Sequence, residues 1–233
     1  MATAAPIVLI LGAGSNIGQN VARVFAGNGY RVATTSRKAQ SDDGSSSKMH
    51  VQVDLNDPNS VKDVFKAVKD QWGHPSVVVY NAASAHFNKS EAPFTLSVQD
   101  VTDDLNVNTL SAFTAATEAV AGFEKLDTIA SRSFIYTGNA LNEGPMAGLL
   151  GLGLSKAATA HIIEHASMVY KTKGFRFYFV DERKPDGKPV GSKVDGSAHA
   201  SMYWDLAEGN LDVPWQVTFV KGEGYKDFHG LKP

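Results

Sequence analysis

Short apolar runs rich in β-branched and aromatic residues alternate along the chain with longer segments in which apolar residues recur at helical spacing. The short runs predict seven strands, at Ile7–Leu11, Arg31–Ser36, Met49–Val53, Val77–Tyr80, Ser133–Thr137, Phe175–Val180 and Gln216–Val220. The longer segments predict helices at Asn16–Asn28, Ser60–Gln71, Val98–Phe123, Met146–Lys173 and Ser197–Glu208. Several strands are continuously apolar, which is typical of a parallel sheet covered by helices on both faces.

Polar segments separate these elements without dividing the chain into parts. The segment Ala39–Lys48 predicts a surface loop, and Asp181–Gly196, rich in Gly, Pro and charged residues, predicts a longer one. The chain has 233 residues, of which 43% are hydrophobic, enough for a sizeable core. We therefore expect one domain over residues 1–233.

Charge and cysteine content exclude several classes of function. Lys and Arg total 22 against 24 Asp and Glu, and this near-neutral balance argues against nucleic acid as a partner. The chain has no cysteine, which excludes disulfides, thiolate nucleophiles and Cys-ligated metals, and no metal site is predicted. No apolar run approaches the ~18 residues of a membrane span, the run Ile7–Leu11 lacks a basic region before it, and the tail His229–Pro233 carries no recognised anchor. We expect a cytoplasmic protein that does not bind membranes.

A glycine-rich turn follows the first strand and opens the first helix. Glycines there let the backbone approach a pyrophosphate, whose charge is stabilised by the free amides at the helix N-terminus. We expect the turn to bind a dinucleotide through Gly12, Gly14, Ser15, Asn16, Ile17 and Gly18. Asn16 stands at a position suited to glycine, and Asn is one of the residues that best tolerate a positive φ.

The end of the second strand indicates which dinucleotide is bound. An NAD site usually has an acidic residue there for the ribose 2′-hydroxyl, whereas this chain has Ser36, Arg37 and Lys38. A guanidinium can form paired hydrogen bonds with a 2′-phosphate, so these residues favour NADP(H) over NAD(H). The alternative is that Arg37 and Lys38 are solvated loop charges.

The spacing Gly12-x-x-x-Asn16-x-Gly18 resembles the G-x-x-x-G-x-G turn of short-chain dehydrogenases/reductases, and further segments up to about Val180 resemble that family in the same order. These segments are Val53-Asp54-Leu55, Asn81-Ala82-Ala83, Val107-Asn108 and Ser155-Lys156-Ala157-Ala158. The resemblance implies a Rossmann-type three-layer αβα sandwich with a mostly parallel seven-stranded sheet. It also implies contacts to the cofactor from Asp54, Leu55, Asn81, Ala82, Ala83, Asn108 and Lys156.

The two positions that matter most for the family's chemistry differ in this chain. The family's catalytic Tyr stands four residues before its Lys, and Leu152 occupies that place; the family's Ser position falls on Asn139. The resemblance implies that Lys156 binds the nicotinamide ribose and that Asn108 joins a proton relay. Leu152 cannot carry a proton, so the usual acid–base step with a ketone or alcohol is not expected.

Several other side chains are candidates to replace the tyrosine. Asn139 can donate a hydrogen bond to a carbonyl but is no useful acid, and Tyr136 is more often a packing residue of its strand. His161 and His165 should lie on the far side of their helix from Leu152, facing solvent or a partner subunit. Asp181 is the better candidate, because burial at a strand end raises a carboxyl pKa towards a catalytic range.

The neighbourhood of Asp181 has alternative interpretations. Asp181, Glu182 and Arg183 can instead form an ion pair that holds the substrate loop, or Arg183 can bind an acidic substrate. We expect a substrate loop or lid at about residues 181–212. His199, Tyr203 and Trp204 can belong to that lid, although a helix packing its aromatic face is the simpler interpretation.

Three functions therefore remain open. The first is NADP(H)-dependent hydride transfer to a small organic substrate with altered acid–base chemistry, by an oxidoreductase whose candidate catalytic residues are Lys156, Asn108, Asn139 and Asp181. The second is a catalytically idle NADP(H)-binding protein with a regulatory or assembly role, and the third is a non-redox enzyme that reuses the pocket. The resemblance also implies a homodimer or homotetramer built through the long helices at Val98–Phe123 and Met146–Lys173.

Overall fold

The computed structural model describes residues 5–40 and 45–228, so part of the predicted loop Ala39–Lys48 and the whole tail His229–Pro233 lie outside the described residues. The strands are β1 Ile7–Leu11, β2 Arg31–Ser36, β3 Lys48–Gln52, β4 Val77–Tyr80, β5 Ser133–Thr137, β6 Arg176–Arg183, β7 Gln216–Val220 and β8 Gly224–Tyr225. The α-helices are α1 Ile17–Gly27, α2 Ser60–Trp72, α3 Val98–Leu105, α4 Ser111–Phe123, α5 Leu150–Tyr170 and α6 Gly196–Glu208.

The strands form one sheet in the order β3-β2-β1-β4-β5-β6-β7-β8, and every pairing is parallel except that of β7 with β8. The alternating side chains of the strands supply two separate cores. One core packs Leu9, Phe134 and their neighbours against α2, α4 and α5. The other packs Val8, Ile135 and their neighbours against α1 and α6. The result is the expected three-layer αβα sandwich, a Rossmann-type fold.

The order of the strands places the site. The chain proceeds outward from β1 to β2 and β3, and then returns to the other side of β1 to form β4. This reversal leaves a crevice at the carboxyl ends of β1 and β4, which is where doubly wound sheets bind their ligands. The glycine turn follows β1 at this crevice.

The prediction of seven strands is wrong by one. The eighth strand, β8, pairs antiparallel with β7, Val220 opposite Gly224. The turn between them has Gly222 and Gly224 at φ +78° and +80°, backbone conformations that favour glycine. A strand of two residues is too short to show a period of two, so the hydrophobic pattern does not reveal it.

Strand β6 is longer than predicted. Asp181, Glu182 and Arg183, which were expected to start a loop, continue the strand opposite Thr218, Phe219 and Val220 of β7. All three charged side chains are buried. Charged residues predict a loop only when they remain in water, and here they are paired inside the protein.

The helix predicted at Val98–Phe123 is interrupted. Residues Asn106–Leu110 form a π-helical turn between α3 and α4. The helix predicted from Met146 begins instead at Leu150, after Pro145 and after Gly148 at φ +83°. At its end, α5 passes into a short 3-10 turn at Lys171–Lys173.

Candidate active site

In the glycine turn, Gly12 and Gly18 are tightly packed against the protein backbone, whereas Gly14 faces open space. A Cβ on Gly12, whose φ is +90°, would lie 2.5 Å from the backbone nitrogen of Ala82, and one on Gly18 would lie 2.5 Å from Cα of Ala13. A Cβ on Gly14 would have nothing within 4 Å. Gly12 and Gly18 are therefore required by the fold, whereas Gly14 faces space that a ligand can fill.

Asn16 does not adopt the positive φ that its position suggested. Its φ is −92°, so that expectation is wrong. Its carboxamide instead spans two segments: Nδ2 donates to the carbonyl of Val194 at 2.9 Å, and Oδ1 accepts from the amide of Gly196 at 2.9 Å. This side chain makes no capping bond to its own helix, and the amide of Gln19 donates to the Gly14 carbonyl at 3.0 Å, so the amides of Ile17 and Gly18 are the ones left for an anion.

The carboxyl end of β2 lies next to this turn. The amide of Gly12 donates to Oγ1 of Thr35 at 3.1 Å, and the Ser36 hydroxyl donates to the carbonyl of Lys38 at 2.8 Å. Arg37 and Lys38 are both exposed. The end of β2 and the residues that follow it, Thr35 to Lys38, therefore carry two cations and no carboxylate.

A cleft of about 690 Å³ runs along the carboxyl ends of β1, β2 and β4. It brings together these predicted cofactor-binding residues: Gly12, Gly14, Ser36, Arg37, Asp54, Leu55, Asn81, Ala82 and Ala83. Ser15, Asn16, Ile17, Gly18, Lys38, Asn108 and Lys156 are not among the residues that line it. The cleft therefore unites the residues predicted for the adenine side with Gly12 and Gly14 of the turn, and it extends along the loop after β4 to Ser84 and His86.

Asn81 joins three strand ends at the floor of the site. Its Nδ2 donates to the carbonyl of Gly12 at 2.8 Å, and its Oδ1 accepts from the Thr137 hydroxyl at 2.9 Å. The Thr137 hydroxyl also lies 2.7 Å from the hydroxyl of Tyr203 on α6. Asn81 is therefore held in place by the protein and supports the wall of the cleft.

Lys156 is buried beside the fifth strand, with a relative exposure of 3%. Its Nζ donates to the Tyr136 hydroxyl at 3.0 Å and to the Thr137 carbonyl at 2.8 Å, and it lies 4.4 Å from the centre of the Tyr136 ring. Burial lowers the pKa of Lys156 to about 7, and the negative charge of Asp181 partly opposes that shift. The amine therefore titrates near neutrality, where a proton-transfer group is most useful.

Tyr136 is a partner of Lys156 rather than a solitary packing residue. Its hydroxyl donates to the carbonyl of Asn108 at 3.0 Å. Asn108 lies in the π-helical turn Asn106–Leu110, a helix form that occurs frequently at functional sites. The Thr159 hydroxyl donates to the same carbonyl at 2.9 Å.

The side chain of Asn108 holds the loop after β4. Its Oδ1 accepts from the amide of Ser84 at 3.0 Å, while its Nδ2 donates to the Ser84 carbonyl at 2.8 Å and to the Ser155 hydroxyl at 3.0 Å. Asn108 is fully buried. It therefore positions both the cleft wall and the helix that carries Lys156.

Leu152 and Asn139 occupy the positions where the chain was expected to differ from its relatives. Leu152 is half-buried and lies one helical turn before Lys156 on α5. Asn139 uses its Oδ1 to accept from the amide of Leu141 at 3.1 Å, which caps the short 3-10 turn Ala140–Asn142. Neither side chain offers an ionisable proton at this place.

Asp181, the other candidate acid, is part of a buried ion-pair cluster. Arg183 donates through Nε to Asp181, through a terminal nitrogen to Glu143 at 2.8 Å, and through the other to the Gly187 carbonyl at 3.0 Å. Burial raises the pKa of Asp181 to about 6, and Arg183 opposes the shift. The structure thus shows the ion-pair arrangement, with the donors of Arg183 already engaged by protein groups instead of facing an acidic substrate.

Much of the segment 181–212, where a substrate loop or lid was expected, belongs to regular elements. Its first three residues belong to β6, and residues 196–208 form α6, which packs on α1. His199 and Tyr203 are buried in that layer, and Trp204 contacts the ring of Phe25 edge-on at 5.3 Å. Within 181–212, only residues 184–195 and the residues after α6 lie outside strands and α-helices. The aromatic face of α6 belongs to the core, which agrees with the simpler interpretation of His199, Tyr203 and Trp204.

The predictions missed a polar cluster at the mouth of the site. Asp104 of α3 is fully buried and accepts from the Ser84 hydroxyl at 2.9 Å and from the amide of His86 at 3.1 Å. The His86 imidazole lies on the same carboxylate, with Nδ1 2.9 Å from Oδ1. Ser84 and His86 line the cleft. No sequence signal distinguished Asp104 from its neighbours Asp100 and Asp103; only the fold turns it inward.

Within residues 5–40 and 45–228, no group of three or more His, Asp or Glu side chains is arranged to hold a metal ion. None of the helices in the described part of the chain combines the length and the apolar character of a membrane-crossing segment.

Comparisons with known proteins agree with this architecture. The family model described as enoyl-(acyl carrier protein) reductase matches residues 12–183. The short chain dehydrogenase/reductase dmxR12 of Cryptosporiopsis sp. (strain 8999) is 48% identical over 234 residues, covering 96% of this chain and 95% of that protein.

Solved structures share the fold at low sequence identity. A 3-ketoacyl-(acyl-carrier-protein) reductase from Brucella melitensis, complexed with NADH, aligns with a TM-score of 0.78 at 14% identity, over 94% of this chain and 98% of that one. A short chain dehydrogenase from Leptospira borgpetersenii with bound NAD+ aligns with a TM-score of 0.76 at 15% identity, over 95% and 92% of the two chains.

Proposed function

Because the chain belongs to the short-chain dehydrogenase/reductase family, we propose that it is an oxidoreductase that uses NADP(H) to transfer a hydride to or from a small organic substrate. The observation that carries this proposal is the cleft at the carboxyl ends of β1, β2 and β4. It combines an open Gly14 with the exposed cation Arg37, and the uncapped start of α1 follows three residues after Gly14 in the chain.

The residues of the cleft suit a dinucleotide with a 2′-phosphate. The start of α1 would bind the pyrophosphate through its free amides, and the open space at Gly14 leaves room for it. Arg37 would bind the 2′-phosphate by paired hydrogen bonds, with Ser36 and Lys38 beside it. Asp54, Leu55 and the segment Asn81–Ala83 would line the adenine side.

Chemistry would take place on the side of the site where the loop after β4 meets α5, near Lys156. A bound nicotinamide ring supplies or accepts a hydride. Lys156 would donate a hydrogen bond to the adjoining ribose, and Tyr136 together with the carbonyl of Asn108 would orient its amine. Leu152 would contribute only an apolar wall, so this active site differs from that of the family in its source of protons.

A second candidate function rests on Leu152 and on the pairing of Asp181. Without a proton donor at position 152, and with Asp181 held by Arg183, the chain would bind NADP(H) without catalysing the usual reaction. It would then act as a regulatory or assembly partner. Hydride transfer to an activated acceptor distinguishes the two, because only the oxidoreductase oxidises NADPH in its presence.

Isothermal titration calorimetry tests the choice of cofactor. We expect NADPH to bind more tightly than NADH, and we expect Arg37→Ala to weaken NADPH binding about tenfold or more, because a charge-assisted hydrogen bond is worth about 1.5–3 kcal/mol. The affinity for NADH should remain unchanged. Arg23→Ala, which removes an exposed arginine of α1 outside the cleft, is the matched control. Equal affinity of the wild-type protein for both cofactors contradicts the role of Arg37, and binding of neither refutes the proposed function.

We also propose a homo-oligomer as the working form of the protein. The faces of α4 and α5 form an apolar groove that contains Phe113, Val120, Ile162 and Val169, and residue Met168 beside it is exposed. His161 and His165 border this groove, on the side of α5 away from Leu152. A second copy of the chain is the occupant that the family resemblance favours.

A further inference from the structure

The cluster of Ser84, His86 and Asp104 is not used by the function proposed above, although it borders the same cleft. Asp104 is buried, and within residues 5–40 and 45–228 the one basic side chain that pairs with its carboxylate is His86. Its carboxylate accepts three hydrogen bonds, all from the loop after β4. Because Asp104 is buried and held by these bonds, it also fixes the orientation of the His86 imidazole.

The imidazole of His86 is oriented and accessible. Nδ1 lies on Asp104 at 2.9 Å, which leaves Nε2 as the nitrogen that can exchange a proton with a ligand. The side chain is 39% exposed, and His86 is one of the residues that line the cleft. The carboxylate of Asp100 lies 3.8 Å from Nε2, too far for a hydrogen bond.

The cluster packs against the turn of α5 that carries Leu152. A Cβ on Gly151 would approach Oδ2 of Asp104 to less than 3.0 Å, so the backbone next to Leu152 touches the carboxylate that holds His86. On the other side, the side chain of Asn108 clamps Ser84 and bonds to Ser155, the neighbour of Lys156. Asp104 thus lies against the start of the segment from Gly151 to Lys156, and Asn108 links the His86 loop to its end.

From this geometry we propose that His86, positioned by Asp104, is the acid–base residue that exchanges a proton with the substrate oxygen in place of a tyrosine at position 152. The inference rests on the proposed oxidoreductase function. His86 is then a catalytic residue, and Asp104 and Ser84 are positioning residues.

The proton balance of the step is complete. In the reducing direction, the carbonyl carbon of the substrate gains a hydride from the reduced dinucleotide, and the π electron pair moves to the carbonyl oxygen. That oxygen takes the proton from Nε2 of His86 as the N–H bond breaks. The products are an alcohol, the oxidised dinucleotide and a neutral imidazole, which regains its proton from solvent. With such a donor present, the expectation that ketones escape reduction no longer follows from Leu152.

The charges around His86 favour the protonated form. The hydrogen bond to Asp104 raises the pKa of His86 above its usual value, and the negative charges of Asp104, Asp100 and Asp103 add to the effect. Reduction should therefore be fastest below this pKa and decline as the pH rises through it, because the acid form is lost. Asp104→Asn should move the decline to lower pH.

NMR titration of the histidine side chains tests the inference without any substrate. The chain has seven histidines, and His86→Gln assigns the resonance of His86 by its disappearance. We expect a pKa above 6.5 for His86 in the wild-type protein, a lower value in Asp104→Asn, and a lower value with saturating NADP+ than with NADPH, because the oxidised ring is cationic. If the pKa is the same with both cofactors while both bind, His86 lies outside the field of the ring and the inference is wrong.

Kinetics with 9,10-phenanthrenequinone, an activated dicarbonyl, provide the second readout. His86→Gln should lower kcat at least 100-fold with little change in the affinity for NADPH, since general acid catalysis contributes about 10²–10⁴-fold. His74→Gln, a histidine of the loop before β4 at the opposite end of the sheet, should leave kcat unchanged. Equal kcat in the wild-type protein and His86→Gln overturns the role of His86 and leaves the proposed function standing. Absence of NADPH binding to the wild-type protein refutes the proposed function itself.

Discussion

The residues of the site fall into two sets, those that maintain its structure and those that are free to contact a ligand. Gly12 and Gly18 are fixed by packing distances that no side chain can meet, and Asn108 is buried with every polar atom of its side chain bonded. Gly14, Arg37 and His86 face open space instead. Substitutions in the first group should affect folding, and those in the second should affect binding and chemistry.

Gly12 and Gly14, one from each set, provide a matched pair of substitutions. Gly12→Ala should lower the free energy of unfolding by about 2–4 kcal/mol, because it combines a φ of +90° with a steric clash at Ala82. Gly14→Ala should fold with nearly wild-type stability, because its Cβ meets nothing within 4 Å, and yet should bind NADPH at least tenfold more weakly. Urea unfolding and calorimetry measure the two effects. Wild-type affinity in Gly14→Ala would argue against a pyrophosphate at the turn.

Lys156 should make stability depend on pH. Its folded pKa of about 7 lies below the 10.5 of an unfolded lysine, so the unfolded chain binds more protons between these values and stability rises with pH across that range. From pH 7 to pH 9 the wild-type protein should gain about 2 kcal/mol relative to Lys156→Met. Denaturant unfolding of both proteins at pH 7, 8 and 9 measures this difference. A constant difference at all three values would show that the amine titrates elsewhere.

At the scale of elements, the end of β6 determines the shape of the substrate side. Asp181 and Arg183 are paired inside the sheet, and Arg183 also binds Glu143 from the loop after β5 and the Gly187 carbonyl of the loop after β6. Asn16 fastens the far end of that second loop to the glycine turn. Residues 184–195 are thus anchored at both ends, which leaves less freedom than an unattached lid has.

Removing one partner of the Asp181–Arg183 ion pair should destabilise the protein more than removing both partners together. Arg183→Met should destabilise the protein by about 3–5 kcal/mol, because it leaves buried carboxylates without their partner. Asp181→Asn combined with Arg183→Met should recover a large part of that loss. Thermal unfolding of the single and double variants completes a double-mutant cycle. Additive losses in the double variant would show that the pair is not coupled.

The whole molecule has two helical layers of different character. The layer of α1 and α6 covers its side of the sheet and is itself largely polar outside, whereas α4 and α5 keep apolar side chains at their outer surface. Phe113 is 55% exposed and Met168 67%. An apolar patch of this kind on a monomer is typical of an interface between subunits.

Substitution on this face tests the proposed oligomer. Phe113→Asp should convert the oligomer to monomers, because it places a charge in the middle of the apolar groove. Phe94→Asp changes a phenylalanine that is 92% exposed in another part of the surface and serves as the control. Sedimentation velocity gives the mass of each variant. A wild-type protein that is monomeric at all concentrations would refute the proposal.

Much of the fold follows from local sequence. The alternation of apolar runs with helical periodicity placed seven of the eight strands and all the major helices, because the burial of a strand or of one helix face is recorded in its own residues. The glycine turn was recognisable for the same reason, since its close contacts require Gly12 and Gly18 whatever else surrounds them. The near-neutral charge and the absence of cysteine are likewise properties of the chain alone.

Other features were decided by tertiary structure. The charged residues at the end of β6 can be buried only because Glu143 of the loop after β5 and the carbonyl of Gly187 bind Arg183. The Tyr136 hydroxyl of β5 donates to the carbonyl of Asn108, which lies 28 residues earlier in the π-helical turn between α3 and α4. His86 becomes an oriented imidazole only when Asp104 is turned inward beside Gly151. A local pattern records whether a residue is buried, but the partner of a buried polar group comes from a distant segment, and only the folded chain brings the two together.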